Sequence, residues 1–597
     1  MSGFWSALNH QPTFNASTAL LLTDGRVMCQ ASGTKKWWAL KADAFGNYVN
    51  GTWSQLADSP NGPLYYASAV LRNGKVIVAG GEYEETQGQV WLNAAEIYDP
   101  VANTWTNIPT PPGFTQIGDA ASCLLPDGRF MVGAPNSNHI AIYDPVTNSW
   151  AAAASKTSNE ETWVLLPDET VLAVDCIGHP KSDKYIIAAD KWVTAGNLPV
   201  DLVKGSDIEI GPGMLLPDGR CLFVGATGAT ALYTPPSVAN QPGTWTVGPS
   251  FPVVGGKQLV AEDAPGCLLP NGKVLVIVGP ITPNFSGPSS FFEFDPNTNS
   301  VTAAPNPPNA GGPAFVGRML LLPTGQVLFT AGSTNAQVYT PDLAPDPAWR
   351  PQITSAPSSI HPGFTYTLKG RQINGLSQAC IYGDDAMTAT NYPIVQVRNN
   401  NSGHVFYCRT HDHSTMGLQT GTVIHSTQFT VPAGAETGPS QLCVIANGIS
   451  SICKSISVTT KGWKEVKWEI KENLKVEIDV FVEKRVFEDK RKDAEIEQWR
   501  EIFEEPEWLK SVQVLAQRSD ELEAQLRRQA FIRAEERPML GEEALEASAA
   551  EEEQRVGEVS AIPRSGAREP RTGTEEDARV GEAADAPRSR PNPRRAR

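Results

Sequence analysis

The feature that most constrains this chain is one turn written seven times. In Leu215-Leu216-Pro217-Asp218-Gly219-Arg220-Cys221-Leu222-Phe223-Val224 an Asp-Gly pair stands between two apolar runs, which reads as strand, turn and strand. The pattern returns at Leu20 to Met28, Ala69 to Gly81, Cys123 to Gly133, Leu165 to Val174, Cys267 to Ile277 and Leu320 to Gly332. Its turn glycines are Gly25, Gly74, Gly128, Gly219, Gly272 and Gly325, with Glu169 in that place in the fourth copy. Asp-Gly predicts a two-residue hairpin turn built on positive-φ residues. The copies are spaced by roughly 41 to 54 residues, the period of propeller blades.

A second element closes each copy. It is a Tyr-Asp-Pro corner followed by tryptophan: Tyr98-Asp99-Pro100 with Trp105, Tyr143-Asp144-Pro145 with Trp150, and Tyr233 with Trp245. Looser copies end at Trp53, Trp192 and Trp349, and the sixth has Phe294-Asp295-Pro296 with Val301. The fourth copy is expected to lack its corner tyrosine. Each unit thus offers four short strands, and one such sheet cannot cover both of its own faces. Stacking the units around an axis does so, with tryptophans filling the space between them. The reading is all-β: a seven-bladed kelch-type β-propeller over residues 12–350.

The repeat stops after Trp349-Arg350-Pro351. Short strands continue through 351–460, at Thr365 to Leu368, Ala379 to Tyr382, Ile394 to Val397, Val405 to Cys408, Thr422 to Phe429 and Gln441 to Ala446, a spacing that suits an immunoglobulin-like sandwich. Charge then marks a boundary: roughly 12 % of residues 1–460 are charged against roughly 44 % of 461–597. Residues 461–537 read as a charged strand and helical tail whose apolar positions Trp508, Val512, Leu515, Leu522 and Leu526 suit a short coiled coil and self-association. Residues 538–597 have the composition of a disordered segment.

The net charge of −16 argues against a nucleic-acid partner, and no apolar run is long enough to span a membrane. Nine cysteines without a Cys-x-x-Cys pair suggest neither a disulfide framework nor a zinc ribbon. Cys443 and Cys453 are expected to be free thiols. With no visible secretory leader, the expected compartment is the reduced cytoplasm.

A kelch-type propeller followed by an immunoglobulin-like domain resembles the galactose oxidase and glyoxal oxidase family of copper-radical enzymes, over roughly residues 12–457. The resemblance is most specific at the junction, from Leu320-Leu321-Leu322-Pro323 through Ala336-Gln337-Val338-Tyr339-Thr340-Pro341 to Arg350-Pro351-Gln352-Ile353. It implies five positions for the copper-radical chemistry. The cross-linked cysteine would fall at Asn15, and its tyrosine partner at Tyr65. A Tyr-His ligand pair would fall at Phe315-Val316, and the last histidine at Met387. Only Tyr65 keeps the family residue. Copper(II) needs imidazole and phenolate donors, which Phe315 and Val316 cannot supply.

Elsewhere, His411 and His413 in Cys408-Arg409-Thr410-His411-Asp412-His413 would share one face of a strand and form a candidate metal pair, with Cys408, Asp412 or His425 as a third ligand. Asp384 and Asp385 are candidate channel-lining ligands. The favoured reading is a non-catalytic binding or scaffold module that recognises a protein or polar ligand through its channel-mouth loops, with no cofactor. The alternatives are a galactose-oxidase-like metalloenzyme with a changed copper or zinc site, and a carbohydrate-binding protein.

Overall fold

The seven repeats each become an antiparallel sheet in the structure, a computed structural model that describes residues 3–381 and 390–460. Met387, Asp384, Asp385 and the charged tail from 461, with its expected strand, coiled coil and disordered end, lie outside the described residues. The helices among the described residues are three short 3-10 turns. The first strand of each repeat is buried along its length: Ala16–Leu21, Ala67–Val70, Ala121–Leu124, Trp163–Leu165, Gly213–Leu215, Gly266–Leu268 and Arg318–Leu321. These strands touch one another in chain order, and the seventh touches the first. The result is a propeller arrangement with the first strands innermost.

The Asp-Gly turns differ from the expected two-residue form. Leu22 N donates to Arg26 O (2.8 Å), Gly25 N donates to Leu22 O (2.9 Å), and positive φ falls on Gly25 but not on Asp24. This is a type I turn closed by a glycine bulge, and it explains the proline before Asp in several copies, since Pro suits the second position of such a turn. Gly25 is fixed twice over: its φ is +79°, and a Cβ there would lie 2.5 Å from the Tyr407 ring. In the fourth copy Glu169 takes φ 60° without being glycine.

The tryptophans act between repeats. Trp105 Nε1 donates to Ala57 O (3.0 Å), Trp150 to Pro109 O (2.7 Å) and Trp192 to Ala154 O (3.0 Å), each reaching back into the preceding unit. Within its own sheet each ring packs on a cross-strand tyrosine, with Tyr98–Trp105 at 5.1 Å and Tyr143–Trp150 at 5.2 Å. Two sequence expectations change here. The fourth repeat has its tyrosine after all: Tyr185 pairs with Trp192 at 5.3 Å, hidden in sequence because Ile186 rather than Asp-Pro follows it. In the seventh repeat the tryptophan is Trp5, not Trp349. Strand Phe4–Ala7 pairs with Gln337–Thr340, so residues outside the 12–350 span complete the last sheet, and Trp5 lies 4.9 Å from Tyr339. Trp349 sits in a 3-10 turn over Gly272.

The chain beyond 351 forms a further sheet of nine strands, from Gln352–Ser355 to Lys454–Val458. It covers the turn ends of the inner strands: Thr410 N donates to Thr23 O, His413 N to Arg72 O (both 3.2 Å), and Met416 N to Pro126 O (2.8 Å). One expected strand of this domain belongs elsewhere. Cys380–Ile381 pairs with the inner strand Gly266–Leu268 of the sixth repeat. Cys443 and Cys453, expected as free thiols, form a disulfide. Such a bridge suits an oxidising compartment, which removes the support that free thiols gave to a reduced one. Among the described residues no helix is long and apolar enough to cross a membrane.

Candidate functional site

The residues just before each inner strand gather at the leading end of the ring, opposite the turn end that the second sheet covers. Repeat symmetry therefore brings together positions that are far apart in sequence. In the second and seventh repeats they are aromatic. Tyr65, held at φ 55°, has its ring 6.2 Å from Phe315 and 6.0 Å from Tyr83. The guanidinium of Arg318 lies 5.6 Å from the Tyr65 centroid and donates to the carbonyls of Phe315 (2.6 Å) and Gly317 (2.9 Å). Phe285 packs edge-on to Phe315 at 5.5 Å, and a small hollow lined by Phe285, Ser286, Ala314, Phe315 and Glu262 opens beside them.

This arrangement does not fit copper. Tyr65 and Phe315 do meet, as the resemblance implied for the two positions, but Phe315 and Val316 carry no donor, and a cation already faces the Tyr65 phenol. Asn15 lies beside the seventh repeat, where Ala16 N donates to Ser333 O (2.9 Å), and it too cannot supply the family's thioether.

In the third to sixth repeats the same positions are acidic: Asp119, Glu160, Glu209 and Asp263, all largely buried. Three of them converge, with one carboxylate oxygen each of Glu160, Glu209 and Asp263 lying within 4.8 Å of one another. Their loops are laced together by Lys204 N donating to Glu209 O (3.1 Å) and Asp263 N to Ile210 O (3.2 Å). Lysines stand behind the cluster. Lys156 meets Glu161 at 2.7 Å with both side chains buried, and Lys204 meets Glu262 at 2.6 Å. Burial still lifts the carboxyls of Glu161 and Glu262 above their ordinary range, against the pull of their lysines. Burial and then the charges of Glu161 and Glu209 hold the Cys176 thiol protonated. Oxygen-only donors of this kind suit hard divalent cations rather than copper. Sequence reading missed the cluster because Glu160, Glu209 and Asp263 share no motif. Their signal was positional: each stands three or four residues before an inner strand.

His411 and His413 lie at the covered end instead. The strand Val405–His411 ends there, and Asp412 turns back at φ 50°, so the alternation that would put both rings on one face is broken. His411 bonds Asp412 Oδ2 (2.7 Å) and Thr430 Oγ1 (3.1 Å), whereas His413 Nδ1 bonds Thr427 Oγ1 (2.9 Å). Thr427 and Thr430 are three apart on one strand and project to opposite faces, so the two imidazoles diverge. His413 is fully buried and stacked on Tyr392, and burial, then the neighbouring His411, push its pKa down to about 3. Cys408 is buried in the core of the second sheet, and His425 bonds Ser414.

Residues 63–112 match the Kelch motif. That match covers one repeat of the propeller arrangement. The chain resembles the galactose oxidase family in the features described above. Kelch-like protein terF of Aspergillus terreus is 29 % identical over 125 residues, 20 % of this chain and 26 % of that protein. N-acetylneuraminate epimerase of Yersinia enterocolitica is 26 % identical over 188 residues, 31 % of this chain and 46 % of that one. The chain thus spans less than half the length of these curated relatives. Among solved structures, a fungal alcohol oxidase of the AA5 family in complex with copper aligns over 76 % of this chain and 99 % of its own, at TM-score 0.46 and 15 % identity. A catalytically inactive virginiamycin B lyase from Staphylococcus aureus aligns over 56 % of this chain and 99 % of its own, at TM-score 0.42 and 12 % identity.

Proposed function

We propose that the chain is a non-catalytic binding module: a seven-bladed kelch propeller with an immunoglobulin-like domain on its turn end, recognising a protein or polar ligand through the loops at its leading end. The observation that carries this reading is the packing of Tyr65 against Phe315 and Arg318, where a copper-radical enzyme needs donors. A guanidinium beside the phenol supplies positive charge without coordination chemistry. The acidic loops of the fourth to sixth repeats give the same mouth a negative wall, which favours a cationic or hydroxyl-rich partner surface.

The test is copper and zinc content of the full chain after loading and dialysis. The expected result is well below one ion per chain. One copper per chain, lost in Tyr65→Phe, would overturn the reading; one ion lost when His411 and His413 are changed to alanine would do so for a zinc or copper site there.

A second reading, favoured by the convergence of Glu160, Glu209 and Asp263, keeps a metal but changes its class. On it, calcium or manganese at millimolar concentration raises the melting temperature, and Glu209→Gln abolishes that rise. An unchanged melting temperature with every divalent ion would leave the carboxylates as part of the ligand-facing wall.

A further inference from the structure

The nine cysteines divide into one bridged pair and seven buried thiols. Five of the seven, Cys29, Cys123, Cys176, Cys221 and Cys408, lie on separate strands or loops of the two folds. Cys267 and Cys380 differ. They stand directly opposite each other where the inner strand Gly266–Leu268 pairs with Cys380–Ile381. Leu268 N donates to Ala379 O at 2.9 Å, which makes 268 and 379 the hydrogen-bonded pair and leaves 267 and 380 as the adjacent non-hydrogen-bonded pair. That is the close site of an antiparallel ladder, with Cα atoms about 4.5 Å apart, inside the range a disulfide spans. The two residues are cross-strand neighbours, exposed by 0 % and 1 %, within an apolar cluster that includes Leu268, Met319 and Ala379, and the Cys267 thiol donates to the Leu268 carbonyl at 3.5 Å.

We propose that Cys267 and Cys380 form a second disulfide during oxidative folding, fastening the chain that leaves the propeller back onto the inner strand of the sixth repeat. The bridge at Cys443–Cys453 places the protein where such chemistry can occur. The oxidant is a low-molecular-weight disulfide of the glutathione class. One cysteine thiolate attacks it, forming a mixed disulfide and releasing one thiol. The second cysteine then displaces the other thiol, so two protein S–H bonds are exchanged for one S–S bond and two small thiols are released. Both thiols are fully covered in the finished ring, and burial holds Cys267 in its protonated form, so the exchange belongs to assembly rather than to later switching. The cross-link would join residues 113 positions apart, closing a loop through the rest of the sixth repeat, the seventh repeat and the start of the covering domain, the class of long loop for which a bridge restricts the unfolded chain most.

The experiment is peptide mapping of the full chain refolded in a glutathione redox buffer, sampled once Cys443–Cys453 is bridged, then denatured and alkylated before proteolysis without reductant. The expected product is a peptide pair joined through Cys267 and Cys380. Alkylation of both residues, or a bond from either to another cysteine, would overturn the proposal. A second measurement uses Cys380→Ser. Its melting temperature should fall below that of the oxidised protein by about 2–4 °C, with the difference vanishing in dithiothreitol. A deficit that persists unchanged in reductant would mean that lost packing, not a lost bridge, is responsible, and would also count against the disulfide.

Discussion

Two arcs of one ring occupy equivalent positions and have opposite chemistry. In the second and seventh repeats the residues before the inner strands are Tyr65 and Phe315, closed over by Arg318. In the fourth to sixth they are Glu160, Glu209 and Asp263, backed by buried lysine pairs. The backbone that delivers them is the same repeat, so the difference comes from side chains alone. A propeller fixes where a loop residue arrives and leaves its chemistry open. Aromatic rings pack on one another without charge, whereas buried carboxylates require counter-charge, which Lys156 and Lys204 bring to the adjacent Glu161 and Glu262.

The contrast can be broken most severely on the acidic arc. Lys156→Met removes the partner of the fully buried Glu161 and should cost about 3–5 kcal/mol, because an uncompensated buried carboxylate remains. Adding Glu161→Gln should restore most of the loss, as read by denaturant unfolding; a double variant no more stable than the single would show that shape rather than charge matters. On the aromatic arc, Arg318→Met removes charged hydrogen bonds to the Phe315 and Gly317 carbonyls and should cost about 2–3 kcal/mol. Copper uptake should stay absent in this variant, and its appearance would mean that the guanidinium had been excluding a metal.

Acid separates the arcs from the covered end. His413 has an ordinary value of 6.5 and is pushed down to about 3 in the folded chain, so the unfolded chain binds the proton first. Stability from this residue is complete above pH 6.5 and is lost as pH falls toward 3. Between pH 7 and 5 the loss should be about 1–2 kcal/mol. His413→Asn should flatten that slope in a pH series of unfolding curves. Glu161 and Glu262 run the other way, since their raised carboxyls favour the folded state as pH falls. An unaltered slope in His413→Asn would show that a group other than His413 carries the acid loss, since the raised carboxyls of Glu161 and Glu262 act in the opposite direction.

Much of the fold was legible because the repeat is local. Each Asp-Gly turn lies between strands that pair with each other, and each corner tyrosine is a few residues from its tryptophan. Trp349 was given the place that Trp5 fills because Trp5 and its partner Tyr339 are 334 positions apart and no local pattern links them. The candidate site was less legible. The loss of copper donors could be read residue by residue, but the carboxylate cluster could not, since its members meet only when three repeats stand side by side. His411 and His413 looked like a metal pair because alternation was assumed to run through Asp412, where the backbone turns to positive φ.

By itself, the sequence determined the all-β repeat, the places of the turns and the absence of imidazole at the family's copper positions, because these depend on residues close together in the chain. Tertiary structure alone decided which strand completes the ring, that Cys443 and Cys453 meet, and that Glu160, Glu209 and Asp263 converge. Local pattern sets the backbone, but proximity between distant residues follows from how the sheets stack, and the chemistry of a channel mouth is made of such proximities.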